Sequence, residues 1–152
     1  MRFILVDRIH ELEPGKQIVA SKTLPASEEL FRDHFPGFPV VPGVLLTEMM
    51  AQAAGRCLDA EGTHPGRAML GKINGAQFRE WVKPDQETRV HAKITQNRPA
   101  YAVAECFAEV EGKKVCSADL FFVFAPHDRF APNHQDPILE AFKKDHPSQT
   151  PH

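Results

Sequence analysis

Polar and apolar positions alternate most regularly in the second half of the chain. Val90, Ala92 and Ile94 alternate with Arg89, His91, Lys93 and Thr95, the period of a strand with one face on a core and the other in water. The next run places Ala102, Ala104, Cys106, Ala108 and Val110 on one face. All are small, so something bulky must lie against them. Glu111-Gly112-Lys113 reads as a hairpin turn, and Cys116, Ala118, Leu120, Phe122 and Phe124 form the apolar face of a returning strand. The three segments predict an antiparallel meander with one buried face, and Ile18 to Thr23 and Met69 to Val82 read as further strands.

One segment reads as a long helix. It opens at Pro42-Gly43, runs through Val44, Leu45, Leu46, Met49, Met50, Ala51, Ala53, Ala54, Cys57 and Leu58, and ends near Glu61-Gly62. Apolar residues occupy most of its circumference, which predicts a helix buried on nearly all sides. A curved antiparallel sheet wrapped around one long central helix, an α+β arrangement, satisfies both patterns. The small-residue strand face gives that helix room.

Composition sets the outer limits. With 152 residues, 42% of them hydrophobic and 25% charged, the chain is long enough for one domain with a core. Thirteen prolines are an excess, and five of them (Pro126, Pro132, Pro137, Pro147 and Pro151) fall in the last stretch with four of the eight histidines. We therefore divide the chain into a domain over residues 1–125 and an irregular Pro- and His-rich tail over 126–152, with one short helix around Ile138 to Lys144. Eighteen basic against twenty acidic residues leave a net charge of −2, so neither nucleic acid nor a membrane surface is an expected partner. Cys57, Cys106 and Cys116 are odd in number and form no CxxC pair, which points to a reducing, cytoplasmic setting without disulfides. The histidines lack metal-ligand spacing, so no metal is expected. Phe3 to Val6 is too short for a signal-peptide core, and no stretch is long enough to span a bilayer.

The densest local signal is Asp33-His34-Phe35-Pro36-Gly37-Phe38-Pro39-Val40-Val41-Pro42-Gly43, leading directly into the helix. Three prolines and two glycines make a stiff, irregular connection that fixes His34 relative to the helix start. Glu48 lies in the second turn among Leu45, Leu46, Met49 and Met50, surroundings in which an ionised carboxylate is costly. Taken alone, a loop histidine or a helix glutamate is ordinarily a surface residue. Together they supply a base, an acid and a helix N-terminus able to hold an oxyanion.

The run from His34 to Gln52, HFPGFPVVPGVLLTEMMAQ, resembles the signature of the FabZ-type (3R)-hydroxyacyl-[acyl-carrier-protein] dehydratases, which have the hotdog fold. Weaker similarity extends to Leu5-Val6-Asp7-Arg8, to Ile73 through Phe78 and to Gly112 through Cys116, so the resemblance covers about Phe3 to Phe124. It implies dehydration of a (3R)-hydroxyacyl group on acyl carrier protein to the trans-2-enoyl group, without cofactor. His34 is then the base that takes the α-proton, Glu48 the acid at the departing hydroxyl, and the Gly43 N–H the donor to the thioester carbonyl. Phe35, Val44 and Met69 would line the acyl tunnel, while Gln52 and Pro42 would support the site. The resemblance further implies a homodimer with shared active sites, His from one subunit and Glu from the other, and assemblies up to trimers of dimers. The isomerising FabA branch carries Asp where this chain has Glu48. The family's gating tyrosine has no counterpart, since Ala68-Met69-Leu70 occupies that region and the only tyrosine is Tyr101. Arg67, Lys72, Arg79 and Lys83 are the candidates for contact with an acidic carrier. Two other classes share the fold: an acyl-CoA thioesterase, which usually lacks the HFPG histidine, and a non-catalytic acyl or carrier-protein binding module. The intact His34 and Glu48 pair favours the dehydratase.

Overall fold

The computed structural model describes residues 1–130 and 135–147. Their elements run β1 (Arg8–Glu13), β2 (Gln17–Thr23), α1 (Leu30–Asp33), α2 (Gly43–Glu61), β3 (Gly66–Phe78), β4 (Glu87–Asn97), β5 (Ala102–Val110), β6 (Lys113–Pro126) and α3 (Pro137–Asp145). Six strands form one curved antiparallel sheet in the order β1-β2-β4-β5-β6-β3, so β3 lies at an edge although it falls in the middle of the sequence. The meander read from alternation is β4, β5 and β6, and its hairpin turns at Glu111 and Gly112, both with positive φ as a two-residue turn requires. β3 begins three residues earlier than the predicted segment and ends before Val82, which is buried in the connection to β4. β1 has no counterpart among the predicted strands; only Ile9 and Leu12 of its residues are buried, too few for a clear alternation.

Helix α2 lies on the face made by Ala102, Ala104, Cys106 and Ala108, each of which is buried. Leu46, Met49, Met50 and Leu58 fill the space between helix and sheet, each contributing roughly 1.5–3 kcal/mol. Gly62 ends the helix in the left-handed conformation at φ 71. The helix is not enclosed all round. Glu48, Gln52, Arg56 and Asp59 form one half-buried polar stripe along it, at the four- and three-residue spacing that aligns side chains on a single face.

The short helix expected in the C-terminal segment is α3. Asp136 caps its N-terminus by accepting from the Ile138 N–H at 3.0 Å, and its Leu139 and Phe142 are buried in the same cluster as the α2 side chains. Part of the segment beyond residue 125 is thus packed on the core. Pro132, His134, Pro151 and His152, which belong to the same expected tail, lie outside the described residues.

Candidate active site

His34 follows the single turn of α1, and its backbone N–H donates to the Leu30 carbonyl at 2.9 Å. The chain then doubles back through Phe35-Pro36-Gly37-Phe38, where Phe35 and Phe38 exchange backbone hydrogen bonds at 3.0 and 2.9 Å. Proline at the second position and Gly37 with φ 75 at the third are what a type II turn requires. This turn returns Val40 to His34: the Val40 N–H donates to the His34 carbonyl, and the ring Nδ1 lies 3.0 Å from the Val40 carbonyl oxygen. A carbonyl only accepts, so Nδ1 carries the hydrogen and Nε2 of the neutral ring keeps its lone pair. The Phe35 ring stacks on the imidazole at 4.1 Å. The Val41 N–H donates to Val82 at 2.7 Å and ties the loop to the segment beyond β3.

Pro42 precedes α2 and offers no side-chain cap. Leu45 and Leu46 donate back to its carbonyl, whereas the Gly43 and Val44 N–H groups find no acceptor among the described residues. Two donors at a helix start therefore remain available for an oxyanion. A Cβ at Gly43 would stand 3.1 Å from the exposed Phe78 ring of β3, so a larger residue there requires that ring to give way.

Glu48 faces a groove of about 400 Å³ between α2 and the edge of the sheet. Gln52 Nε2 donates to Glu48 Oε1 at 3.1 Å, and the same amide holds the N-terminal segment by accepting from the Leu5 N–H at 2.8 Å and donating to the Phe3 carbonyl. Gln52 thus links Glu48 to the N-terminal segment. Enclosure of Glu48 by apolar side chains, expected from its sequence neighbours, is not found in the single chain. Leu46, Met49 and Met50 point into the core, and Glu48 is half-buried on the polar stripe.

Of the three residues expected to line a tunnel, Met69 borders the groove with Glu48. Phe35 and Val44 are exposed beside the His34 loop, Val44 by 76%. Among the described residues the His34 ring hydrogen-bonds only to the Val40 carbonyl, and the Glu48 carboxylate only to Gln52. No hydrogen bond joins the two. Among the basic candidates, Arg67 turns inward to Asp59 at 3.4 Å and lies over the Phe130 ring, while Lys72, Arg79 and Lys83 are exposed on β3 and the loop after it.

Arg56, Asp59 and Asp136, which no sequence motif singles out, also line the groove. The spacing of Glu48, Gln52 and Arg56 was a usable signal; nothing local pointed to Asp136, which is brought to Arg56 only by the docking of α3. Burial pushes the Asp59 carboxyl up, against the pull of the Ala68 N–H and of Arg67.

A family model described as a FabA-like domain matches residues 1–119. The "3-hydroxyacyl-[acyl-carrier-protein] dehydratase FabZ" of Pediococcus pentosaceus is 43% identical over 127 residues, covering 83% of this chain and 85% of that protein. The protein of the same name in Listeria monocytogenes is 39% identical over 81% of this chain and 86% of its own length. Solved structures extend the likeness in fold. The dehydratase heterocomplex ApeI:P of Xenorhabdus doucetiae aligns with a TM-score of 0.63 at 14% identity, over 91% of this chain and 88% of that one. A hypothetical thioesterase with coenzyme A from Streptococcus pneumoniae aligns with a TM-score of 0.62 at 11% identity, over 79% and 86%. The helix-wrapping sheet is therefore the hotdog fold, and the chain belongs to the FabA-like family that includes the 3-hydroxyacyl-[acyl-carrier-protein] dehydratases named FabZ.

Proposed function

We propose that this protein dehydrates (3R)-hydroxyacyl groups carried on acyl carrier protein to trans-2-enoyl groups in fatty-acid biosynthesis, in a cytoplasmic setting, with His34 as base and Glu48 as acid. The observation that carries the roles is the hydrogen bond from His34 Nδ1 to the Val40 carbonyl, which fixes the tautomer of the neutral ring so that its lone pair is on Nε2, on a ring held by a stiff loop. The thioester carbonyl rests on the Gly43 and Val44 N–H groups, where developing negative charge on the oxygen meets the start of α2. His34 Nε2 takes the proton from C2, and the C–H electron pair becomes the C2=C3 double bond. The C3–O bond breaks with its electrons moving to oxygen, and the departing hydroxyl takes the Glu48 proton and leaves as water. Imidazolium and carboxylate then return to their starting forms by proton exchange.

The site is assembled from two copies, His34 of one subunit with Glu48 of the other. Two features support this: no hydrogen bond links the pair within a chain, and the β3 edge beside them exposes Met69, Leu70, Ile73 and Phe78. Antiparallel addition of a second β3 would cover that edge. Three buried, unpaired cysteines favour the reducing compartment. Lys72, Arg79 and Lys83 are the residues offered to an acidic carrier protein.

Hydration of crotonyl thioester, the reverse reaction, tests the proposal by loss of the enoyl absorbance. His34→Ala is expected to lower the rate roughly 10²–10⁴-fold, the usual contribution of a positioned base. Release of free thiol from acyl-CoA instead, or an unchanged rate in the variant, would contradict it.

A further inference from the structure

The groove that starts at Glu48 ends on charge. Its nearer walls are apolar, with Ala51, Gly55, Met69 and Phe122, but its far end carries Arg56 and Asp136. Arg56 Nε lies 2.9 Å from Asp136 Oδ2, an ion pair not aligned as a hydrogen bond, and the two side chains are only 13% and 12% exposed. A second pair, Arg67 Nε to Asp59 Oδ2 at 3.4 Å, borders the same groove, and the Ala68 N–H fixes Asp59 at 2.8 Å. Asp136 comes from the cap of α3, whose Leu139 and Phe142 are buried in the core, so this wall is anchored. It also lies beyond residue 119, where the FabA-like match ends.

We propose that α3 closes the acyl channel, and that Arg56 and Asp136, flanked by Arg67 and Asp59, form a charged end wall that limits the length of the acyl chain. The inference rests on the dehydratase reading, which places the reacting carbons at Glu48. An alkyl chain that reached the wall would press methylene groups against two ion pairs and strip the water that solvates them, which is unfavourable for already half-buried charges. A shorter chain stays against Ala51, Gly55, Met69 and Phe122 and meets no such cost. The eight-residue step from Glu48 to Arg56 spans about 12 Å at a rise of 1.5 Å per residue. With C–C bonds of about 1.5 Å, an extended chain advances roughly 1.25 Å per carbon, so about nine or ten carbons fit before the wall.

The test compares hydration of crotonyl, octenoyl and hexadecenoyl thioesters by the full chain and by two variants. Asp136→Asn removes one charge while Asn still caps α3. The double variant Arg56→Met with Asp136→Asn removes both. The ratio of kcat/KM for hexadecenoyl to that for octenoyl is the readout, because a loss of folded protein lowers both alike. The wild-type ratio is expected to be about tenfold or more below unity, and the double variant is expected to raise it by about tenfold. A wild-type ratio near unity, or one that the double variant does not move, overturns the end wall and leaves the dehydratase reading standing. Failure to hydrate any of the three thioesters would overturn that reading, and the wall with it.

Discussion

At the scale of the residue, hydrogen-bond direction and burial decide what each group is able to do. His34 and the three cysteines are opposite cases. The imidazole is half-buried and keeps one nitrogen open because the other is occupied by Val40. The thiols of Cys57, Cys106 and Cys116 are closed off: burial pushes Cys57 and Cys106 up to about 12 and Cys116 to about 11, from an ordinary value of 9.0. They are structural side chains, and a thiol reagent at neutral pH is expected to find no fast-reacting cysteine in the native protein and all three after unfolding. The same shifts set a pH dependence. From about pH 9 up to about 11 for Cys116, and up to about 12 for Cys57 and Cys106, the unfolded chain gives up thiol protons that the folded chain retains. The stabilisation is therefore complete below pH 9 and is lost as pH rises, by up to about 1.4 kcal/mol per thiol per pH unit. Urea midpoints measured from pH 8 to above pH 10 should fall, and should fall less steeply in Cys57→Ala. Equal slopes would contradict the assignment.

At the scale of the element, α2 performs two tasks on two faces. One face is apolar and packs on the sheet; the other carries Glu48, Gln52, Arg56 and Asp59 and forms one wall of the groove. Close packing is possible because β5 presents alanines. Ala104 is fully buried opposite Leu120 of β6, and a leucine in its place has no space to enter. Ala104→Leu is expected to cost about 1–3 kcal/mol in urea unfolding by overpacking. Displacing α2 would also shift Gly43 and Glu48 together. A cost near zero would mean that the helix stands further from the sheet than the burial indicates.

At the scale of the whole molecule, many of the exposed apolar residues gather at and beside one sheet edge. Met69, Leu70, Ile73, Phe78 and Val123 belong to the edge strand and its neighbour β6, and Phe38 packs edge-on against Trp81 at 5.0 Å just beyond the end of β3. Exposed apolar side chains along an unpaired edge are what a second strand would cover. If each site takes His34 from one subunit and Glu48 from the other, mixing inactive His34→Ala with inactive Glu48→Gln restores activity. Random exchange makes half the dimers mixed, each with one intact pair, so about one quarter of the wild-type rate returns. No recovery after exchange, verified by subunit mixing on a tagged partner, would place both residues of a site in the same chain.

Local arrangements are written in the order of neighbouring residues. Alternation marks β4, β5 and β6, the long run rich in apolar residues marks α2, though not its polar stripe, and the Pro36, Gly37, Pro39, Pro42 and Gly43 pattern marks the stiff loop that holds His34. These follow from the backbone preferences of neighbouring residues, which a sequence carries directly. The placement of Gln52 one helical turn after Glu48, on the same helix face, is legible for the same reason. Tertiary structure alone decided that β3 lies at an edge, that Glu48 opens on a groove instead of the core, and that Asp136 meets Arg56 across eighty residues of chain. Pairings so far apart depend on how strands are ordered and where α3 docks. Those are properties of the packed chain, set by which apolar faces find one another, and no local pattern of residues encodes them.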